Sequence, residues 1–108
     1  MKPKTSTAAF ERAARPSVAK VILRLYIAGT SDRSIRAIRN AKEICEAYLA
    51  GNYELAVVDI LQQPTLAKDD QIVAVPILVK RLPLPPRRFV GDLSNRDVVV
   101  AGLGLEPE

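Results

Sequence analysis

Cys45 is the one thiol in a chain that contains no histidine, and the carboxylates that stand out are the adjacent pair Asp69-Asp70 and Asp92 beside Gly91. Without histidine the commonest general base and metal ligand is missing, so hydrolytic triads and zinc sites are not expected. Adjacent helical positions point about 100° apart, so Asp69 and Asp70 do not converge and read as solvated surface. Cys45 falls on the apolar side of a helical pattern, where a cysteine behaves as a small buried hydrophobe. Ala28-Gly29 alone does not make a phosphate-binding loop. No catalytic, cofactor-binding or metal-ligating residue is assigned. The remaining chemistry is basic: Arg87 and Arg88 stand next to Phe89 and Val90, as in a strand with charge on one face and core residues on the other, which suits a docking edge.

That edge follows a corner, Leu82-Pro83-Leu84-Pro85-Pro86, whose prolines fix φ and donate no amide hydrogen, leaving a turn or protected edge. Upstream, Val21 to Ile27 reads as a strand buried on both faces and central in a sheet. Thr30, Ser31 and Asp32 offer capping oxygens to an amphipathic helix with Ile35, Ile38, Ala41, Cys45, Tyr48 and Leu49 on its apolar side and Arg36, Arg39, Asn40, Glu43 and Glu46 opposite. Gly51-Asn52 ends it, Tyr53 to Leu61 supplies a second strand, and a right-handed parallel crossover is expected. Pro64 to Gln71 opens a short helix. Ile72 to Val79 reads as a strand that Pro76 confines to a start or an edge, and Phe89 and Val90 close a hairpin with it.

Ser94-Asn95-Arg96-Asp97 resembles a capping box and announces a helix. Val98-Val99-Val100 and the glycines Gly102 and Gly104 argue against it, since β-branched residues lose rotamer freedom in helices and an interior glycine costs about 1 kcal/mol relative to alanine. Two explanations stand: tertiary packing overrides weak propensity, or two packings of similar energy compete.

The 108 residues suit one domain, 48% apolar and 26% charged, with no run long enough to span a bilayer. The net charge of +4 resides in residues 1–20, which hold five basic side chains against one acidic; the remaining 88 residues are neutral, with eleven of each. The expected organisation is a basic, disordered extension at 1–19, a domain at 20–105 and a short acidic tail at 106–108. A nucleic-acid reader would carry its excess charge on the folded face, so no nucleic acid is expected as partner. With one cysteine and no secretory signal, the compartment is expected to be the cytoplasm.

Strand, helix, strand, helix, hairpin and helix is the order βαβαββα of a thioredoxin-like α/β domain, but the loop after the first strand, Ala28-Gly29-Thr30-Ser31-Asp32-Arg33, lacks the two cysteines. Leu25-Tyr26-Ile27-Ala28-Gly29, Val57-Val58-Asp59-Ile60, Pro64 with Leu66-Ala67, and above all the spacing of Ala74-Val75-Pro76-Ile77-Leu78, Arg87-Arg88 and Gly91-Asp92-Leu93-Ser94-Asn95-Arg96 resemble the circadian clock protein KaiB family over residues 20 to 105.

The resemblance implies a non-enzymatic clock subunit, without cofactor, that exists as a homotetramer in one fold (βαββααβ) and rearranges its second half into a thioredoxin-like monomer to bind the hexameric ring ATPase KaiC. The bound form would recruit a KaiA-like protein or displace an output histidine kinase. It implies partner contacts at Arg36, Lys80, Arg87 and Arg88, a cis proline at Pro76, and switch or structural roles for Pro76, Pro83, Pro85, Pro86, Gly91, Asp92 and Gly102. The family usually has lysines where Ala56 stands and near Gln71, an acidic residue at Gly104 and a longer acidic tail, which marks a divergent paralogue that serves a different KaiC-like ATPase. The competing readings are a thioredoxin-like redox protein without its cysteine pair and the KaiB-like sensor domain of a histidine kinase.

Overall fold

Residues 20–105 are described by the computed structural model, so the extension assigned to 1–19 and the tail assigned to 106–108 lie outside the described residues. Seven elements follow in the expected order: β1 (Val21–Ile27), α1 (Asp32–Leu49), β2 (Tyr53–Asp59), α2 (Pro64–Asp69), β3 (Ile77–Leu82), β4 (Arg87–Val90) and α3 (Arg96–Gly102). They form one four-stranded sheet in the order β2-β1-β3-β4, so the most apolar strand is internal. β1 runs parallel to β2 and antiparallel to β3, and β3 and β4 form the hairpin.

Strand side chains alternate between faces, and the two faces of this sheet differ in kind. Leu23, Leu25 and Ile27 point with Leu78 toward α1 and α3, where Ala37, Ala41, Ile44, Cys45, Leu49, Val99, Val100 and Leu103 close the larger core. Tyr26, Ile77 and Val79 point the other way, toward Val58 and the Ala67 of α2, in a smaller core.

The buried stripe of α1 is rotated from the expected one. Ile35 is 48% exposed, while Ser34 and Ala37 are buried. The cap sets this rotation: the Ser31 hydroxyl accepts from the Ser34 amide at 3.1 Å, and the Ser34 hydroxyl accepts from the Ala28 amide at 3.4 Å, so a polar residue turns inward with its hydrogen bonds satisfied. Ala37 and Ala41 then let the helix lie close on the sheet.

Three boundaries also shift. β2 stops at Asp59 rather than Leu61, because the Asp59 carboxylate accepts from the Gly29 and Leu61 amides and turns the chain. α2 ends at Asp69 rather than Gln71, which takes a left-handed φ of 56°. The third strand is Ile77–Leu82 rather than Ile72–Val79: Pro76 has no amide to donate, so the ladder begins after it, and Ile72 and Val75 pack as loop residues against the smaller core.

The helix announced near Ser94 forms, one residue later than expected. The Asn95 side chain is the cap, accepting from the Val98 amide, while the Ser94 amide donates to Asp92. Burial of Val99, Val100 and Leu103 against the larger core outweighs the poor propensity of the valines. Gly102 is needed for close approach: a Cβ there would lie 2.8 Å from the Cζ of Phe89, whose ring rests on this turn.

Candidate protein-docking site

β4 is an edge strand, and α1 leans against the turn that follows it. Arg36 donates its Nε to Asp92 at 3.0 Å, and the Asn40 amide nitrogen donates to the Asp92 carbonyl at 2.8 Å. The other Asp92 oxygen accepts from the Ser94 amide at 3.1 Å, closing an Asx-type turn. The Arg36 hydrogen bond and those from Ser94 hold the Asp92 carboxyl down at about 2. Gly91, at φ 113°, supplies backbone that other residues rarely adopt, and its amide donates to the Pro76 carbonyl at 2.8 Å. The Val75-Pro76 bond is cis, as the resemblance implies.

Arg36, Gly91 and Asp92 therefore come together; Arg88 lines a cavity of about 380 Å³ with Arg33, Asp92 and Val98, but its guanidinium is turned to the carbonyls of Asp70 and Gln71. Arg87 and Arg88 are both exposed. Lys80 does not join them as a free charge: it is 7% exposed, on the helix side of internal strand β3, paired with Leu23 and Arg87. Pro83, Pro85 and Pro86 form the exposed corner at the far end of the hairpin, and Gly102 sits under Phe89.

Asp70 is not solvated surface, which corrects the reading of the Asp69-Asp70 pair. Its carboxylate accepts two hydrogen bonds from Arg81 Nη1, at 2.7 and 2.8 Å, one from Arg24 at 3.3 Å, and one from the Tyr26 hydroxyl. Arg24 also donates to Tyr26 Oη at 3.0 Å, and Arg88 donates to the Asp70 carbonyl. Burial pushes this carboxyl up, but the bonds from Tyr26 and Arg81 and the charges of Arg81 and Arg24 outweigh it and leave the carboxyl below its ordinary value. Burial raises Tyr26. The signal was present in Arg24, which interrupts an apolar strand two residues from Tyr26 and thus on the same face. Asp69 stays exposed.

Cys45 is buried at 2% exposure, and burial, then the charge of Glu46, pushes its thiol up to about 11. Among the described residues no cluster of three or more His, Cys, Asp or Glu side chains could hold a metal. No helix among them is long and apolar enough to cross a membrane.

Solved structures share the fold. The N-terminal domain of Synechococcus elongatus SasA superposes with a TM-score of 0.66 at 24% identity, covering 83% of this chain and 89% of that one. Mitochondrial thioredoxin 3 from Saccharomyces cerevisiae superposes with a TM-score of 0.65 at 13% identity, covering 92% and 90%. The protein is thus of the thioredoxin-like α/β class.

The KaiB domain matches residues 24–105. The circadian clock oscillator protein KaiB of Synechococcus elongatus is 50% identical over 84 residues, covering 78% of this chain and 82% of that protein. The circadian clock protein KaiB3 of Synechocystis is 43% identical over 89 residues, covering 82% and 87%. The chain belongs to the KaiB family.

Proposed function

We propose that this chain is a non-enzymatic circadian clock subunit that docks on a KaiC-type hexameric ring ATPase and modulates its phosphorylation cycle and output. The observation that carries the reading is the free edge strand β4, which exposes Arg87 and Arg88 and whose following turn is tied to α1 by the Arg36–Asp92 pair. Lys80 lies in register with Arg87 on the neighbouring strand. The absence of histidine, together with a buried Cys45 whose thiol is pushed up to about 11, weighs against the redox alternative.

The subunit works in the cytoplasm, as a homotetramer or in exchange between tetramer and monomer. Its second half changes fold on binding, with Pro76, Pro83, Pro85, Pro86, Gly91, Asp92 and Gly102 shaping the segment that rearranges. The bound form recruits a KaiA-like protein or displaces an output histidine kinase.

Size-exclusion chromatography with light scattering, on the protein alone and with KaiC-type ATPases in ATP and in ADP, tests this. A complex that depends on nucleotide, and that is weakened by charge reversal at Arg87 and Arg88 without loss of fold, is expected; interfacial charge pairs of this kind are worth about 2 to 5 kcal/mol when desolvated. Unchanged affinity after reversal would remove the β4 edge from the interface. A stable monomer that binds none of these ATPases would leave only the fold.

A further inference from the structure

The sheet face covered by α2 carries a second concavity, of about 440 Å³, at the opposite end of the hairpin from the Asp92 turn. Ile22, Val79, Leu82, Leu84 and Pro86 give it aliphatic walls, and Leu82 and Leu84 are 49% and 71% exposed. Arg81 and Arg88 border it with Asp70. Arg24 and Arg81 converge on the Asp70 carboxylate and Arg88 donates to its carbonyl, so three guanidiniums gather around one acidic residue and leave the cluster net positive. Glu54, across an adjoining hollow that also borders Ile22 and Arg81, is engaged by Lys20 at 3.4 Å. The two hollows adjoin at Ile22 and Arg81, and the first runs as a groove to the proline corner at Leu84 and Pro86.

We infer that this groove binds an extended acidic-aliphatic segment of a partner protein, an aliphatic side chain lying on Leu82, Leu84 and Pro86 and flanking carboxylates meeting Arg81 and Arg88. Exposed neighbouring aliphatic residues rimmed by charge are the pattern of an interaction surface. Guanidiniums take carboxylates in bidentate geometry, and apolar walls that exclude water strengthen such pairs. Single-stranded nucleic acid is the poorer match, because it binds on aromatic platforms and no aromatic side chain lines the cleft. The inference shares Arg88 with the proposed ATPase edge, but Arg81 and Leu84 belong to the cleft and not to that edge, so their variants separate the two readings.

The probe is an acetylated pentapeptide alternating glutamate and leucine, titrated into the isotope-labelled full chain and followed by amide chemical shifts. A matched peptide with glutamine for glutamate and a short oligouridylate serve as comparisons. Shifts should gather on Ile22, Val79 to Leu84 and Arg88, and binding should weaken about tenfold for the glutamine peptide, for Arg81→Gln and for Leu84→Ser. Leu84 is exposed, so its variant keeps the fold, which the thermal midpoint checks. Shifts confined to other surfaces, equal binding of the glutamine peptide, competition by oligouridylate that ignores Leu84→Ser, or no binding at millimolar peptide would each overturn the inference.

Discussion

The two faces of the sheet are held by different forces. Toward α1 and α3 the contacts are aliphatic, and Leu23, Leu25 and Leu78 are at most 1% exposed. Toward α2 the fully buried side chain is Tyr26, and its hydroxyl ends in a network with Arg24, Asp70 and Arg81. Burial of apolar area is non-directional and tolerates small shifts, whereas a carboxylate with several donors fixes the end of α2 to β1 and β3 in one position. The helix-backed face therefore supplies most of the stability and the α2 face supplies placement. The Asp92 turn belongs to neither face and ties α1 to the end of the hairpin.

The largest effect should come from the aliphatic face. Leu25→Ala removes a fully buried side chain from the larger core and should cost about 2 to 5 kcal/mol in urea unfolding. A smaller loss there than from any change at Asp70 would invert the comparison. Asp70→Asn should cost less, about 1 to 3 kcal/mol, by leaving partly buried donors underpaired. Combining it with Arg81→Gln should give a cost below the sum of the two; strict additivity would mean the network is not a unit.

Gly102→Ala sharpens the boundary between propensity and packing. Alanine is the better helix former, yet its Cβ meets the Phe89 ring, so a net loss of about 1 kcal/mol is expected. A rise in the thermal midpoint would show that the ring gives way freely.

The smallest effect concerns pH. Asp92 titrates lower in the fold than its ordinary value, so its contribution is complete above about pH 4 and is lost as pH falls through about 2. Asp70, also lowered, acts with the same sign. Acid unfolding of Asp92→Asn should therefore be flatter over that range than the parent's; identical profiles would remove the Arg36 pair as a source of acid sensitivity.

Legibility followed the same division. Val21 to Ile27 was readable as a central strand and Ser31 lay among the offered caps, because apolar period and capping chemistry act within a few residues. The conflict after Ser94 was readable too, but its resolution was not: Val99, Val100 and Leu103 find burial only once α3 meets α1 and β1. At the docking edge, Arg87 and Arg88 were legible as exposed charge, whereas Lys80 and Ile35 were not legible as inward and outward. A strand register and a helix rotation set those directions, and small changes in either reverse them.

By itself the sequence determined the order of the seven elements, the internal place of β1, the corner of prolines and the lack of histidine chemistry, all consequences of local spacing and residue type. Only the tertiary structure decided that Asp70 is a hub. Its partners Arg24 and Arg81 lie 46 and 11 residues away, and a pairing over such separations becomes visible only when the sheet has closed and α2 has been laid across it.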